Sequence, residues 1–164
     1  LHTVDWQQDT LRVYGKTHPI PRLHCWFSDD ATPYSWSGLT MKGHPWTPEL
    51  RALRDRIEGV AGAAFNSALV NLYRDGQDTV GWHADDEAEL GPKPVIASVS
   101  LGAERVFMLR HRELPEFKNY RVILPPGSLL IMGGAAQRHW LHSLPRRAGV
   151  KAPRINLTFR LIAG

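Results

Sequence analysis

Arg154-Ile155-Asn156-Leu157-Thr158-Phe159-Arg160-Leu161-Ile162 decides the architecture. Side chains on an extended strand alternate faces with period two. One face of this stretch therefore carries Arg154, Asn156, Thr158 and Arg160; the other carries Ile155, Leu157, Phe159 and Leu161. The alternation is unbroken, so a slip of one residue would turn every apolar side chain to the wrong face. An edge strand facing water would mix lysine, glutamate and serine. Here the polar face has two arginines, two neutral hydrogen-bonding groups and no acid. The planar fork of arginine grips a carboxylate or phosphate through two parallel hydrogen bonds. With an apolar face to anchor it, this strand reads as a cradle for a small dianion.

Working outward, the chain from Ala68 onward is rich in strands. Ala68 to Tyr73, Val95 to Leu101, Val106 to Leu109, Tyr120 to Leu124 and Ser128 to Met132 read as strands. Turn signals separate them: Arg74 to Asp78, Gly91-Pro92, Gly102, Pro125-Pro126-Gly127 and Gly133-Gly134. Many short strands between turns predict a sandwich or barrel rather than a parallel α/β sheet. One helix stands out. Thr47 is a suitable N-cap, Pro48 fits the first helical position, and Glu49 suits the positive helix end. Leu50, Leu53, Ile57 and Val60 recur at helical spacing, and Gly59 or Gly62 ends the segment. The expected fold class is mainly β with a flanking helix (α+β).

Residues 1–27 read as irregular and extended, because Pro19 and Pro21 break any helix. Val13-Tyr14-Gly15-Lys16 sets an aromatic beside a glycine and suggests a turn. Tyr34 and Trp36, two apart, share a face if that segment is a strand.

A second constellation is His83-Ala84-Asp85. On extended backbone the imidazole and the carboxylate project the same way and can reach one metal ion. A further histidine would complete a two-His-one-carboxylate triad, which leaves open positions on an octahedral iron. His139 and His142 are both available, and spacing alone does not choose between them.

Composition excludes several classes. A chain of 164 residues fits one domain and can bury a core without disulfides. Its single cysteine, Cys25, rules out a disulfide framework and a cysteine-rich zinc site, and suits a reducing compartment. The longest apolar runs, such as Leu129 to Met132, are far too short to span a bilayer. Leu1 to Trp6 has no signal-peptide pattern, and the absence of an initial Met leaves room for residues upstream. A net charge of +4 favours a polyanionic partner such as nucleic acid.

Taken in order, six segments carry a family resemblance: Asn71 to Gly76, His83 to Glu87, Ile96 to Gly102, Gly127 to Met132, His139 to Pro145 and Pro153 to Arg160. With them the chain resembles the AlkB family of Fe(II)/2-oxoglutarate-dependent nucleic-acid demethylases, most closely its DNA-repair members. The resemblance runs from about Val13 to the C-terminus. It implies a double-stranded β-helix (jelly-roll) core over residues 68–164, a scaffold helix over 47–62, and a nucleotide-recognition and finger region over 1–46, all in one domain (1–164).

The resemblance further implies His83, Asp85 and His142 as iron ligands, the last because it directly precedes Ser143-Leu144-Pro145. It places 2-oxoglutarate against Asn71, Tyr73, Arg154, Asn156, Thr158 and Arg160. Arg154 and Tyr73 would take the distal carboxylate, and Arg160 and Asn71 the keto-acid end. It implies Fe(II), 2-oxoglutarate and O2 as the reaction's requirements, and a flipped base as substrate held by Tyr34, Trp36, His83, Asp86 and Glu87. Val13, Tyr14 and Gly15 match a hydrophobic finger that props a duplex, with Arg22 close by to hold a strand. The chain departs from the family pattern at Ala84, where relatives carry a larger, often basic side chain. Alkylated DNA, single- and double-stranded, is the expected partner, with RNA as an extension. No membrane association, a monomer, and a cytoplasmic location (nuclear in a eukaryote) complete the expectation. Two alternatives stand beside it: a catalytically silent nucleic-acid-binding module, and a small-molecule or protein oxygenase of the same superfamily.

Overall fold

The computed structural model describes the backbone of residues 4–13, 15–31, 33–36 and 39–163, with side chains at all of these except 11–13, 35, 36 and 39. The chain begins with β1 (Thr10–Val13), β2 (Lys16–Pro19), β3 (Leu23–Ser28), β4 (Tyr34–Trp36), β5 (Leu39–Met41) and β6 (Gly43–His44). Helix α1 (Pro48–Ala61) follows, then β7 (Ser67–Tyr73), β8 (Val80–His83) and a short 3-10 turn (Ala88–Leu90). The last part holds β9 (Ile96–Gly102), β10 (Arg105–His111), β11 (Tyr120–Leu124), β12 (Leu129–Met132), α2 (Ala136–His139), β13 (Trp140–Leu144) and β14 (Arg154–Arg160).

Two sheets make the body. The larger runs β12-β9-β14-β7-β3-β6 and the smaller β11-β10-β13-β8. Strand β14 is interior, paired antiparallel with β7 on one side and β9 on the other. Its alternation therefore separates two packed layers. Leu157 and Phe159 join Cys25, Phe27, Ala68, Val70, Ala97 and Val99 on the face covered by α1, where Ile57 is buried and Leu50 and Leu53 pack alongside. Phe159 is fully buried between Trp46, with parallel rings 6.2 Å apart, and Phe65. Truncating such a side chain costs about 3–5 kcal/mol. The opposite face, with Arg154, Asn156, Thr158 and Arg160, looks toward the smaller sheet. Ile96 and Met132 of the larger sheet meet Phe107 and Leu124 of the smaller one in a second apolar cluster.

The helix forms as its sequence dictates. Thr47 accepts from the Leu50 amide at 3.2 Å, Pro48 opens the first turn, and Gly62 closes it at φ 62°. Val60 departs from expectation: it is 70% exposed in the last turn, where Ala61 packs on the core instead. The first residues depart more. The segment read as irregular contains β3, which pairs with β7 along its length. Five of its six residues are buried, so it shows no alternation to read. Residues 1–46 are thus partly built into the body, through β3 and β6. Trp140 to Leu144, not read as a strand, is the interior strand β13.

One end of the body is knit shut. The turn after β7 and the loop after β13 exchange main-chain hydrogen bonds, Gly76 to Val150 at 2.9 Å and Arg147 to Gly76 at 2.7 Å. A Cβ on Gly76 would sit 1.8 Å from the Arg147 carbonyl oxygen, so only glycine fits.

Candidate active site

The two sheets enclose a cavity lined by both polar faces, including Asn71, Tyr73, His83, Asp85, His142, Arg154, Asn156, Thr158 and Arg160. Strand register explains how the candidate metal-binding side chains meet. His83 pairs with His142 across β8 and β13, and His142 with Leu109 across β13 and β10. Residues directly opposite in an antiparallel pair face the same side. Both imidazoles therefore point inward from adjacent strands, with ring centroids 4.2 Å apart. Asp85 follows two residues after His83, where β8 has ended. Ligand atoms of His83, Asp85 and His142 all lie within 4.8 Å of one another, and among the described residues this is the one such cluster. His139 ends α2, half-buried, with its ring stacked on His111. Geometry thus groups His142, and not His139, with His83 and Asp85.

The surroundings prepare each group for a cation. A carbonyl oxygen can only accept, so in the neutral ring the 2.9 Å contact between His83 Nδ1 and the Gly81 carbonyl selects the tautomer with the proton on Nδ1 and the lone pair on Nε2. His142 stacks on Phe107, and burial pushes its pKa down to about 4, which keeps its lone pair free at neutral pH. For Asp85, burial alone would raise the carboxyl pKa. The Arg160 guanidinium, aided by His142 and His83, outweighs it and holds the group below its usual range. Arg160 donates to Asp85 Oδ2 through Nη2 at 2.9 Å and Nε at 3.3 Å. Oδ1 then lies 3.8 Å from His83 Nε2, on the metal side. The Asp85 amide donates to Gln137 Oε1 at 2.9 Å. Gln137 is buried and was not singled out from sequence, where nothing distinguishes it from any helical glutamine.

The cradle is built from Arg154, 2% exposed. Its Nη2 donates to Ser100 Oγ at 2.9 Å, and its Nε is buried without a partner. Its guanidinium lies 5.3 Å from the centre of the Tyr73 ring, and among the described residues no carboxylate pairs with it. A buried cation lacking an anion is costly, so the arrangement fits an anionic guest. Asn156 donates to Ser98 Oγ at 2.7 Å and the Val99 carbonyl at 3.0 Å, and Thr158 donates to Asn156 at 3.2 Å. Arg160 contributes at the metal end through Asp85 rather than as a free fork.

The expected base-binding set is only partly brought together. Tyr34 lines the cavity, stacks on Trp26 with centroids 4.6 Å apart, and has its hydroxyl pKa pushed up to about 12 by burial, with Glu87 adding to the shift. Glu87 lines the cavity, half-buried, and burial raises its carboxyl pKa. Asp86 does not line it: the residue is exposed and paired with Arg112 at 2.5 Å. Successive residues after β8 point different ways, and sequence spacing did not reveal which acid turns inward. Arg22, expected near a nucleic-acid strand, turns inward instead. It donates to Asn71 Oδ1 at 3.1 Å and to the Thr79 carbonyl at 3.3 Å, at the cavity wall. Val13 pairs with Lys16 at the end of the β1–β2 hairpin, and Gly15 turns it at φ 78°. Tyr14 lies outside the described residues, as do the side chains of Val13 and Trp36.

A family model described as the 2OG-Fe(II) oxygenase superfamily matches residues 1–160. The chain belongs to that superfamily. Within it, the resemblance to AlkB proteins holds. The chain is 47% identical over 158 residues to the human DNA oxidative demethylase ALKBH2, covering 93% of this chain and 60% of that protein. It is 43% identical over 167 residues to the human alpha-ketoglutarate-dependent dioxygenase alkB homolog 3, covering 97% and 58%. The chain thus spans about three fifths of the length of these curated relatives. The solved structure of OsALKBH1 superposes with a TM-score of 0.60 at 21% identity, over 96% of this chain and 83% of that one, which bears out the fold. Oxygenases of this superfamily are named for Fe(II) and 2-oxoglutarate. The residues here fit both: a bare imidazole pair with an ionised carboxylate for the metal, and the unpaired Arg154 for a dicarboxylate.

Proposed function

We propose that this chain is an Fe(II)/2-oxoglutarate-dependent dioxygenase that demethylates alkylated bases in DNA, of the 1-methyladenine and 3-methylcytosine type. One observation carries the reading: the His83, Asp85 and His142 cluster shares a cavity with the buried Arg154, which pairs with no carboxylate among the described residues. The name of one relative, the human DNA oxidative demethylase ALKBH2, supports the choice of substrate.

His83 Nε2, Asp85 Oδ1 and His142 would hold the metal on one face. Arg154, beside Tyr73, would take the distal carboxylate of the keto acid. When bound, the metal and the keto acid would supply, with dioxygen, oxidation of a methyl C–H bond coupled to conversion of 2-oxoglutarate to succinate and carbon dioxide. The protein's own work is positional. Arg160 keeps Asp85 ionised and turned. Gln137 fixes the backbone at that residue. Phe107 and the His83 tautomer set the ring planes. Tyr34, Glu87 and Trp36 would form the walls for the extruded base, with the His83 ring opposite, and the β1–β2 hairpin would act as the finger in a duplex. Residues 1–46 would thus serve nucleic-acid recognition while residues 68–164 carry the jelly roll. No described helix is long and apolar enough to cross a membrane. On this reading the enzyme works where DNA is, as a monomer on single strands and duplexes, with alkylated RNA as an extension.

The test is incubation with Fe(II), 2-oxoglutarate and an oligonucleotide bearing 1-methyladenine or 3-methylcytosine. Succinate, formaldehyde and restored base should form in equal amounts. Tight binding without succinate would instead identify a silent nucleic-acid module. Succinate formation that no methylated base stimulates would point to an oxygenase of small molecules or proteins.

A further inference from the structure

Two guanidiniums lie over the Tyr73 ring, and only one faces the cavity. Arg154 lines it; Arg105, at the start of β10, does not. Arg105 is 1% exposed, its carbon 5.8 Å from the centre of the Tyr73 ring. It bonds no carboxylate among the described residues. Nη1 donates to the Asp75 carbonyl at 2.9 Å; Nη2 donates to the carbonyls of Asp78 at 2.9 Å and Pro145 at 2.8 Å. Nε is buried without a partner. Burial lowers the pKa of this group, so the surrounding protein taxes its charge.

An apolar side chain would fill the same space at less electrostatic cost. What Arg105 adds is connection. Asp75 and Asp78 belong to the turn that follows Tyr73, and Pro145 follows β13, three residues beyond His142. One planar fork thus ties the strand carrying a cradle wall to the strand carrying a metal-binding histidine. The Gly76 close approach locks the same two loops together.

We propose that Arg105 is a positioning residue for 2-oxoglutarate: it seats Tyr73 beneath Arg154, ties that end of the cavity to the strand of His142, and adds a second buried positive charge toward the distal carboxylate. This rests on the keto-acid reading above. Arg105 itself touches neither the keto acid nor the metal.

The experiment measures 2-oxoglutarate binding to protein loaded with redox-inert Mn(II). Wild type, Arg105→Met and Arg105→Lys are compared, with Mn(II) affinity without keto acid and thermal midpoint recorded for each. Arg105→Met should weaken 2-oxoglutarate by about tenfold or more, the scale of coupling between side chains in one network. Mn(II) affinity should stay within about twofold, a few tenths of a kcal/mol. Arg105→Lys keeps the charge but cannot reach three carbonyls with a planar fork, so it should fall between the two. A purely structural role would lower the midpoint and leave keto-acid affinity unchanged, and that result overturns the proposal. Equal losses of Mn(II) and keto-acid affinity overturn it too. Should Arg105→Met not fold, Arg105→Lys decides alone: unaltered affinity defeats the proposal. Wild type that binds no 2-oxoglutarate would defeat the keto-acid reading itself.

Discussion

The two ends of the cavity are built to different standards. At the closed end, the turn after β7 and the loops around Arg147 and Pro153 are locked by main-chain hydrogen bonds and by approaches that exclude a Cβ. Gly102, at φ 81°, would place one 2.4 Å from the Pro153 carbonyl oxygen. Arg105 and Arg154 are buried there, and among the described residues neither bonds a carboxylate. At the mouth, β2 is exposed along its length, and Asp86 with Arg112 forms a solvated ion pair, a kind worth little to stability. Under the proposed function, the difference is a division of labour. A small dianion of constant shape rewards a rigid cradle, because preorganisation lowers the cost of binding. A base arriving on a flexible strand, paired or not, needs walls that can adjust.

That contrast can be broken by substitution, and the largest effects should come from the metal cluster between the two ends. His83→Ala, Asp85→Ala or His142→Ala should each abolish iron-dependent turnover, since a facial set lacking one ligand holds iron poorly. His139→Ala should retain most activity, because that ring stacks on His111 away from the cluster. Turnover assays on the four variants decide it; an inactive His139 variant beside an active His142 variant would reverse the ligand assignment.

Next comes the closed end. Gly76→Ala drives a methyl into the Arg147 carbonyl and must push two loops apart. We expect a loss on the order of 3 kcal/mol or more in denaturant unfolding, at the severe end of single substitutions. A change below about 0.5 kcal/mol, typical of unconstrained surface positions, would show that the end is not rigid.

The mouth should respond more gently. On the proposed function Trp36 stacks on the base, worth about 1–3 kcal/mol per base, and Trp36→Ala would remove that. Turnover on methylated oligonucleotide should fall, while uncoupled 2-oxoglutarate turnover without nucleic acid survives. If both fall together, Trp36 belongs to the core. The smallest effect concerns strand state. Tyr14→Ala should lower demethylation of a duplex more than of the matching single strand, because only the duplex needs a prop for the vacated place. Equal losses in the two contexts would return Tyr14 to ordinary packing.

The same contrast governs how much could be read from sequence. The cavity-facing side of β14 was legible because the strand alternates without a break and its polar face holds only arginine, asparagine and threonine. The helix was legible from Thr47, Pro48 and Gly62, whose roles are local. His83 and Asp85 were legible from their spacing, but His142 needed either the family motif or the register of β13 against β8. Strand β3 was hidden because five of its six residues are buried, which erases alternation. Gln137 and Arg105 were hidden for a different reason. Their partners lie 52 residues away at Asp85 and 27 to 40 away at Asp75, Asp78 and Pro145, and no local pattern records such contacts. The inward turn of Glu87 and the outward turn of Asp86 depend on backbone past the end of β8, where no periodicity applies.

The claim that the closed end serves the keto acid and the mouth serves the base is tested most directly by one variant and two constants. Arg154→Lys keeps the charge at the cradle but loses its planar fork. The apparent Michaelis constants for 2-oxoglutarate and for a 1-methyladenine oligonucleotide should be measured side by side in wild type and variant. The account predicts a marked rise in the first and an unchanged second, with metal affinity retained. An unchanged constant for 2-oxoglutarate, or an equal rise in both, would contradict it.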